Sequence, residues 1–319
     1  MSSPDAPRDH DRRRLTAGLL FGLAAALIGG LWQVATRHAV TTSLPPAELA
    51  WLRYGIPALL LAPVTWRCGL KPPTLAPRHA LFLLLGAGLP FGLIAMSGTR
   101  LAPAAHMGVL MAGATPLFAS ALGWLLWRER IDAARGAGLA LMAAGVVLLG
   151  GRSLAEAGAG GSASTVWQGD VLLLLAALLW AGYTLAFRRS GLNAWQGAAL
   201  VNTWSLALLV PLVLAVEGAW PQQLFTLDAG TLAWHALSQG VVAGVLGLWT
   251  FSATVERLGA AGASAFGALV PVVSAVGGWW WLDDPLGPLD ALAVAAAVAG
   301  VVLASGALAL RRAAPVRAT

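Results

Sequence analysis

The sequence predicts an all-α, polytopic membrane protein with ten transmembrane helices in two inverted five-helix repeats. Hydrophobic residues make up 58% of the 319 positions and charged residues only 11%, whereas a soluble domain carries about 25% charged residues. The apolar residues come in blocks of roughly 18 to 23, the length that a helix needs to cross a ~30 Å hydrocarbon core. Short segments between these blocks hold nearly all the arginines.

The ten predicted helices follow these blocks in order. They are expected at residues 15–35, 47–66, 79–98, 104–126, 134–151, 170–187, 195–216, 232–254, 261–282 and 288–309. Proline occurs inside several of them, which membrane helices tolerate because neighbouring helices satisfy the freed backbone groups. A β-barrel is excluded, because barrel strands alternate apolar and polar residues. The first block exceeds the core of about 7–15 residues of a signal peptide, so we expect it to remain as a membrane helix.

The distribution of basic residues predicts that both termini are cytoplasmic. With ten helices and a cytoplasmic N-terminus, sixteen basic residues fall in cytoplasmic segments, and only Arg37, Arg100 and Arg152 fall on the opposite side. In short loops such an excess marks the cytoplasmic face. The net charge of +6 therefore indicates contact with anionic lipid headgroups of a bacterial inner membrane and not with nucleic acid.

The single cysteine, Cys68, excludes an internal disulfide and a thiolate metal cluster. The sequence also lacks the His-Glu-x-x-His, Gly-x-Ser-x-Gly and Walker-type motifs. We therefore expect no catalytic residue, no metal site and no cofactor.

Two halves of the chain repeat each other. The stretches that begin at Pro116 and Pro271 match at a constant offset of 155 residues. The matching pairs are Gly123-Trp124 with Gly278-Trp279, Glu129 with Asp284, and Gly145-Val146-Val147-Leu148 with Gly300-Val301-Val302-Leu303. The predicted domains are a first repeat at 15–151, a linker at 152–168 containing a Gly/Ser-rich stretch, and a second repeat at 169–310. Because five is odd, the second repeat must be inverted, a plan that recurs in transporters with a site between the repeats.

These features resemble the drug/metabolite transporter superfamily, and specifically its EamA-type ten-helix branch. The resemblance rests on Trp32 and Trp180 in the leading helices, on Arg53, and on the Pro-x12-Glu/Asp-x15-Gly stretches at 116–145 and 271–300. It implies a central cavity lined mainly by helices 1, 3, 4, 6, 8 and 9, and export of amino acids or other metabolites. Asp284 departs from the Gly-Glu pair that is usual there; we expect this to change a surface hairpin more than the pathway.

Arg53 is the sharpest candidate for substrate binding. It lies about seven residues into the second helix, where an arginine costs roughly 2.5–3.5 kcal/mol on insertion scales. It either binds a substrate carboxylate or holds a gate, or else it extends to the interface or pairs with Glu48.

Two similar clusters of aromatic and polar residues are further candidates. They consist of Trp32, Gln33 and Thr36 in the first helix and Trp180, Tyr183 and Thr184 in the sixth. Aromatic walls with a few hydroxyl groups suit a planar or amphipathic substrate, although tryptophans also pack between helices or form interfacial belts.

The remaining candidates are His106, Met111, Gln239 and Trp249. A histidine at the start of the fourth helix can couple proton movement or simply bind a neighbouring carbonyl group. Gln239 and Trp249 are predicted pathway residues of the eighth helix. Glu129, between Arg128 and Arg130, is interpreted as part of a surface ion cluster.

The predicted function is a membrane transporter, and more specifically an exporter of small amphipathic metabolites such as amino acids. The alternatives are an intramembrane enzyme, a channel, or a structural or signalling membrane protein of the same topology. Substrate identity, direction, energy coupling and oligomeric state are left open by the sequence.

Overall fold

The computed structural model is all-helical over the residues that it describes, which are 9–129, 131–158, 165–215 and 220–305. Within these residues, ten long helices follow one another: α1 (Asp9–Thr42), α2 (residues 46–68), α3 (Pro77–Leu101), α4 (residues 104–127), α5 (Ala133–Gly158), α6 (Val166–Phe187), α7 (Ala194–Ala215), α8 (Ala229–Gly259), α9 (Ala265–Leu282) and α10 (Pro288–Ala304). Eight of the described helices are long and apolar enough to cross a membrane. The helix α2, which breaks at Leu61, and the shorter α10 complete the ten. The predicted fold class is confirmed.

Two helices extend furthest beyond their predicted ends, by seven residues each. The first was expected to end at residue 35, but α1 continues to Thr42 because Ala39 and Val40 are still buried among apolar neighbours. The helix α5 continues to Gly158, so the first part of the predicted linker is helical. Residues 159–164 of that linker lie outside the described residues.

Local departures from α-helical geometry occur where α2, α3, α4 and α8 pass the centre of the bundle. Wider π-helical turns replace regular ones at Trp51–Gly55, Met107–Gly113 and Ala236–Gly247; such turns are frequent at functional sites. The helix α3 breaks at Gly88, whose carbonyl oxygen accepts from the Tyr54 hydroxyl at 2.6 Å. At this break the Leu89 N–H donates to Ser205 Oγ of α7 at 2.9 Å, so a neighbouring helix satisfies a backbone group that the break leaves without a helical partner.

The two repeats end their fourth helices in the same way. Arg128 and Asp283 both adopt the left-handed conformation, with φ of 53° and 54°. The following residues close equivalent hydrogen bonds: the Glu129 N–H donates to the Gly123 carbonyl at 3.3 Å, and the Asp284 N–H donates to the Gly278 carbonyl at 3.1 Å. This is the Schellman pattern of helix termination, built twice from residues that match in the sequence.

Glu129 and Asp284 nevertheless lie at opposite ends of the bundle. Glu129 follows the last turn of α4, whereas Asp284 accepts a hydrogen bond from the N–H of Ala104 in the first turn of α4. We call these the Glu129 end and the Asp284 end. The inversion predicted from the odd number of helices per repeat follows from this placement.

The last helices of the two repeats pack through glycines. A Cβ atom at Gly138 of α5 would lie 2.5 Å from the Gly300 carbonyl oxygen of α10, and one at Gly145 would lie 2.9 Å from the Ala293 carbonyl oxygen. With the repeat offset of 155 residues, Gly138 corresponds to Ala293 and Gly300 corresponds to Gly145, so the two contacts are equivalent. Small residues of this kind let membrane helices approach closely, and here they join the two repeats.

Candidate substrate cavity

A cavity of about 560 Å³ lies between the repeats, within the ~300–1,000 Å³ range of small-molecule sites. Among the described helices, every one except α7 contributes to its lining. The family resemblance implied a cavity lined mainly by helices 1, 3, 4, 6, 8 and 9. Three further helices also contribute to the lining, through Arg53 of α2, Arg135 of α5 and the end of α10. Glu129, Asp132 and Arg188 line the mouth, so the cavity opens at the Glu129 end.

Four aromatic rings form a continuous wall along this cavity. The ring centroids of Trp32 and Phe91 are 6.2 Å apart, those of Phe91 and Trp180 are 5.1 Å apart, and those of Trp180 and Phe251 are 5.2 Å apart. These spacings are those of favourable aromatic pairs. The sequence pointed to Trp32 and Trp180, but Phe91 and Phe251 lie in apolar stretches that gave no such signal.

Arg53 brings a positive charge to the cavity wall. Arg53 is only 5% exposed, and its guanidinium carbon lies 5.8 Å from the ring centroid of Trp32 and 5.2 Å from that of Tyr54. Its Nε and Nη1 atoms are buried without a hydrogen-bond partner. Such a cation gains most from an anion that brings its own acceptors.

The alternative of an Arg53–Glu48 pair is not what the structure contains. The buried carboxylate of Glu48 accepts instead from the backbone N–H groups of Gln223 and Leu224, at 3.3 and 2.7 Å. These two residues begin the short helix Gln223–Thr226, whose first N–H groups have no intrahelical acceptors. Glu48 is thus already used as a cap.

A buried amide network holds Trp32 in place. Its Nε1 donates to Gln239 Oε1 at 2.9 Å, and Gln239 Nε2 donates to Thr36 Oγ1 at 3.2 Å. Trp32 faces the cavity, whereas Gln239 and Thr36 stand behind it. Gln33, one residue along α1, also lines the cavity, and its Oε1 is buried without a hydrogen-bond partner.

The other sequence candidates divide between the cavity and its surroundings. Met111 and Thr184 line the cavity. Tyr183 is buried behind the wall, with its hydroxyl 2.9 Å from Ser252 Oγ. Trp249 stacks on Trp195 at 4.7 Å, away from the lining residues.

The mouth of the cavity carries charges of both signs. Glu129, interpreted from the sequence as part of a surface cluster, lines this mouth with Oε1 3.8 Å from Arg189 Nη2. Its sequence neighbour Arg130 lies outside the described residues. Arg135 donates to Ser120 Oγ at 3.0 Å, which fixes the start of α5 beside α4.

The Asp284 end is closed by an ion pair. The cavity-lining residues of α1 end at Gln33, and Arg37 follows one turn later. Arg37 Nε lies 2.8 Å from Asp284 Oδ2, and the aspartate is only 9% exposed. Asp284 was expected to affect a surface hairpin more than the pathway; its side chain is largely buried over the helix end, where it reaches both Arg37 and the Ala104 N–H.

His106 lies outside the cavity, between two buried aspartates that carry no distinctive signal in the sequence. They are Asp170 near the start of α6 and Asp290 near the start of α10. Both stand at predicted helix starts, where an acidic residue is ordinary, so only the fold reveals their meeting. Among the described residues, no group of three or more potential ligands could hold a metal ion.

Comparison with known proteins identifies relatives of this architecture. The sequence model of the EamA-like transporter family matches residues 16–151 and 167–306. A solved crystal structure, described only as that of a protein, is 24% identical, with a TM-score of 0.62 over 94% of this chain and 99% of that one; at that identity the likeness supports the fold. A search of curated proteins gives no match. The chain belongs to the EamA-like transporter family, and it is a multi-pass membrane transporter of the drug/metabolite transporter superfamily.

Proposed function

We propose that this transporter exports small amphipathic metabolites that carry one carboxylate, with amino acids as the main class, across a bacterial inner membrane. The observation that carries this proposal is the buried guanidinium of Arg53 at the cavity wall, whose Nε and Nη1 atoms have no hydrogen-bond partner. Buried charges in proteins are ordinarily paired. A substrate carboxylate would supply the missing partner and two acceptor oxygens in the geometry that a guanidinium prefers.

The neutral groups near Arg53 suit a zwitterion. Gln33 Oε1 is a buried acceptor without a partner in the cavity lining, and an ammonium group is a donor with three N–H bonds. The aromatic wall of Trp32, Phe91, Trp180 and Phe251 offers an apolar surface for a side chain and a π-face for the ammonium charge.

The charge of the cavity argues against polyanions. Arg53 supplies the buried positive charge of the lining, while Arg135 and Arg188 stand at the mouth with Glu129 and Asp132. Desolvating several phosphates would require several fixed cations at the depth of the aromatic wall. A monoanion or zwitterion matches the single buried arginine among the described residues that line the cavity.

Export is proposed from the orientation of the open end. The Glu129 end carries Arg14, Arg188 and Arg257. The basic residues that the sequence assigns to the opposite side are Arg37, Arg100 and Arg152. By the positive-inside rule the Glu129 end faces the cytoplasm. A cavity open to the cytoplasm can load a solute from inside the cell and release it once the Asp284 end opens.

The test is transport of radiolabelled phenylalanine by purified protein in liposomes. We expect Arg53→Ala to reduce counterflow by at least tenfold and Arg53→Lys to retain part of it, because lysine keeps the charge but loses the two-pronged geometry. Arg67→Ala, at an exposed position of the same helix, serves as the control and should transport normally.

Two results would overturn the proposal. One is wild-type counterflow in Arg53→Ala, and the other is movement of multiply charged anions in preference to amino acids. Chromatography of the recovered label addresses the enzymatic alternative, because an enzyme would return a chemically altered product.

A further inference from the structure

His106 of α4 lies between two carboxylates from two other helices. Its Nδ1 is 2.8 Å from Asp170 Oδ1 of α6, and its Nε2 is 3.8 Å from Asp290 Oδ1 of α10. The three residues are only 6%, 3% and 4% exposed. Residues of such low exposure are rarely ionisable unless they are paired, so three together require an account of their charge.

The surrounding charges do not balance the two aspartates. Asp290 accepts from Arg152 Nη1 of α5 at 3.2 Å and from the Gly287 N–H at 2.8 Å. Arg152 is shared, because its Nε also donates to Glu156 at 2.7 Å. The side chain of Asp170 contacts His106 through Oδ1, while its Oδ2 is buried without a hydrogen-bond partner.

The described residues of the other helices packed nearby do not supply the missing positive charge. Asp284, whose Oδ2 binds the Ala104 N–H two residues before His106, is paired with Arg37 of α1. Arg100, at the end of α3, is exposed. Three carboxylates, those of Asp170, Asp290 and Glu156, therefore share one arginine and one histidine.

A proton on His106 completes this arrangement. A neutral imidazole has one N–H donor and one acceptor lone pair, so it can satisfy one of the two facing carboxylates and presents a lone pair to the other. An imidazolium donates from both nitrogens and adds the missing positive charge. We propose that His106, Asp170 and Asp290 form a proton-binding site that couples proton movement to transport.

The helices that carry the site also carry the cavity wall, which gives a physical route for coupling. From His106, α4 enters the π segment Met107–Gly113 and reaches Met111 at the cavity. From Asp170, α6 runs to Trp180 and Thr184. A protonated His106 holds α4, α6 and α10 together at the Asp284 end. Loss of the proton leaves two carboxylates facing a neutral ring, which favours separation of these helices. In the cycle, an N–H bond forms with a proton from solution on one side and breaks with release on the other.

The coupling test uses liposomes that contain the pH indicator pyranine. A phenylalanine gradient should drive a proton flux through the wild type. His106→Gln should keep phenylalanine counterflow at equal pH but lower the proton flux per phenylalanine by at least tenfold, and Asp170→Asn serves as the second variant if His106→Gln does not fold. His79→Gln, which removes a histidine from the first turn of α3, is the matched control and should couple as the wild type does. Phenylalanine movement without proton flux in the wild type, or unchanged coupling in both variants, overturns the proposal.

A second readout does not depend on the substrate and separates this inference from the proposed function. If phenylalanine does not move at all in the wild type, the proposed substrate class fails, and the proton site is then decided by spectra of the full-length protein with ¹⁵N-labelled histidine. The His106 signals are assigned by their absence in His106→Gln. Spectra are recorded from about pH 8 to about pH 5, and we expect Nε2 to be observed both with and without a proton, in proportions that change in Asp170→Asn. A His106 ring that keeps one protonation state across this range overturns the proposal.

Discussion

Arg37 donates through Nε to both carboxylate oxygens of Asp284, at 3.0 and 2.8 Å, and through Nη1 to the carbonyl oxygens of Thr99 and Ala102, both at 2.8 Å. One guanidinium thereby joins α1, the end of α3 and the hairpin between α9 and α10. At the opposite end the equivalent carboxylate, Glu129, lies at the cavity mouth with Arg189 at 3.8 Å. Matching positions in the two repeats are thus closed at one end and open at the other, as expected of one state of an alternating transporter.

Replacing Arg37 by glutamine should release the Asp284 end. The change removes one partner of a mostly buried pair, so we expect a loss of up to about 3 kcal/mol in stability, the lower end for such pairs because the arginine is partly exposed. In a Cys68→Ser background, a cysteine introduced at the buried Ala105 should react faster with a membrane-impermeant maleimide when Arg37 is replaced. Arg100→Gln, at an exposed arginine of the same end, is the control. Equal labelling rates in the two variants would contradict the role of the pair as a closure.

Gly123 and Gly278, whose carbonyl oxygens accept the closing hydrogen bonds of the two helix ends, should respond differently to replacement by alanine. A Cβ at Gly278 would lie 2.7 Å from the Ala104 Cβ, where two helices are fixed, whereas a Cβ at Gly123 would lie 2.9 Å from Glu129 Oε2. The Glu129 side chain is 37% exposed and can move aside. We therefore expect Gly278→Ala to cost about 1–3 kcal/mol by overpacking and Gly123→Ala to cost less.

Thermal unfolding in detergent measures this difference. Gly150→Ala in α5 is the reference, because nothing lies within 4 Å of the added atom, and it should be neutral or stabilising by up to about 1 kcal/mol. A greater loss at Gly123 than at Gly278 would show that the Glu129 end is the more rigidly packed of the two.

Long-range periodic features of the sequence predicted the fold well. Hydrophobic blocks and the repeat depend on composition and spacing along the chain, and they indicated ten helices and the inversion. The ends of helices were less predictable, as α1 and α5 show, because burial against neighbours continues a helix beyond its apolar block.

The candidate site was predictable only in part. Trp32, Arg53 and Trp180 stand out because polar or large residues interrupt apolar helices. Phe91 and Phe251 resemble any other apolar residue, so only packing reveals them as cavity wall. The meeting of His106 with Asp170 and Asp290 joins three helix starts that lie far apart in the sequence, and pairings of this kind are set by tertiary structure.

Gln239→Leu should remove the hydrogen bond that holds the Trp32 ring in place. The variant keeps a similar volume but leaves Trp32 Nε1 and Thr36 Oγ1 without their amide partner, and an unsatisfied buried donor costs about 1–3 kcal/mol. Because Trp32 also faces Arg53 across 5.8 Å, the freed ring should raise the KM for phenylalanine several-fold. Gln239→Asn is not a suitable conservative control, since its shorter amide does not reach. Gln196→Leu is the matched control, because its amide binds only the backbone N–H of Asn193 at an exposed position. An unchanged KM in Gln239→Leu would separate the network from substrate binding.

Trp180→Ala should change which amino acids are transported. Its ring lies at the middle of the aromatic wall, 5.1 Å from Phe91 and 5.2 Å from Phe251, so its removal takes apolar surface from the region proposed to receive the substrate side chain. An aromatic pair contributes about 0.5–1.5 kcal/mol beyond its buried area, which predicts a rise in KM of about two- to tenfold for phenylalanine and a smaller one for alanine, whose methyl group gains little from that surface. Competition of unlabelled phenylalanine and alanine against labelled leucine in proteoliposomes measures both. Trp195→Ala, which removes a 41% exposed ring stacked on Trp249 outside the cavity lining, should leave the selectivity unchanged. Equal losses for alanine and phenylalanine in Trp180→Ala would mean that the ring supports the helix packing and does not contact the side chain of the substrate.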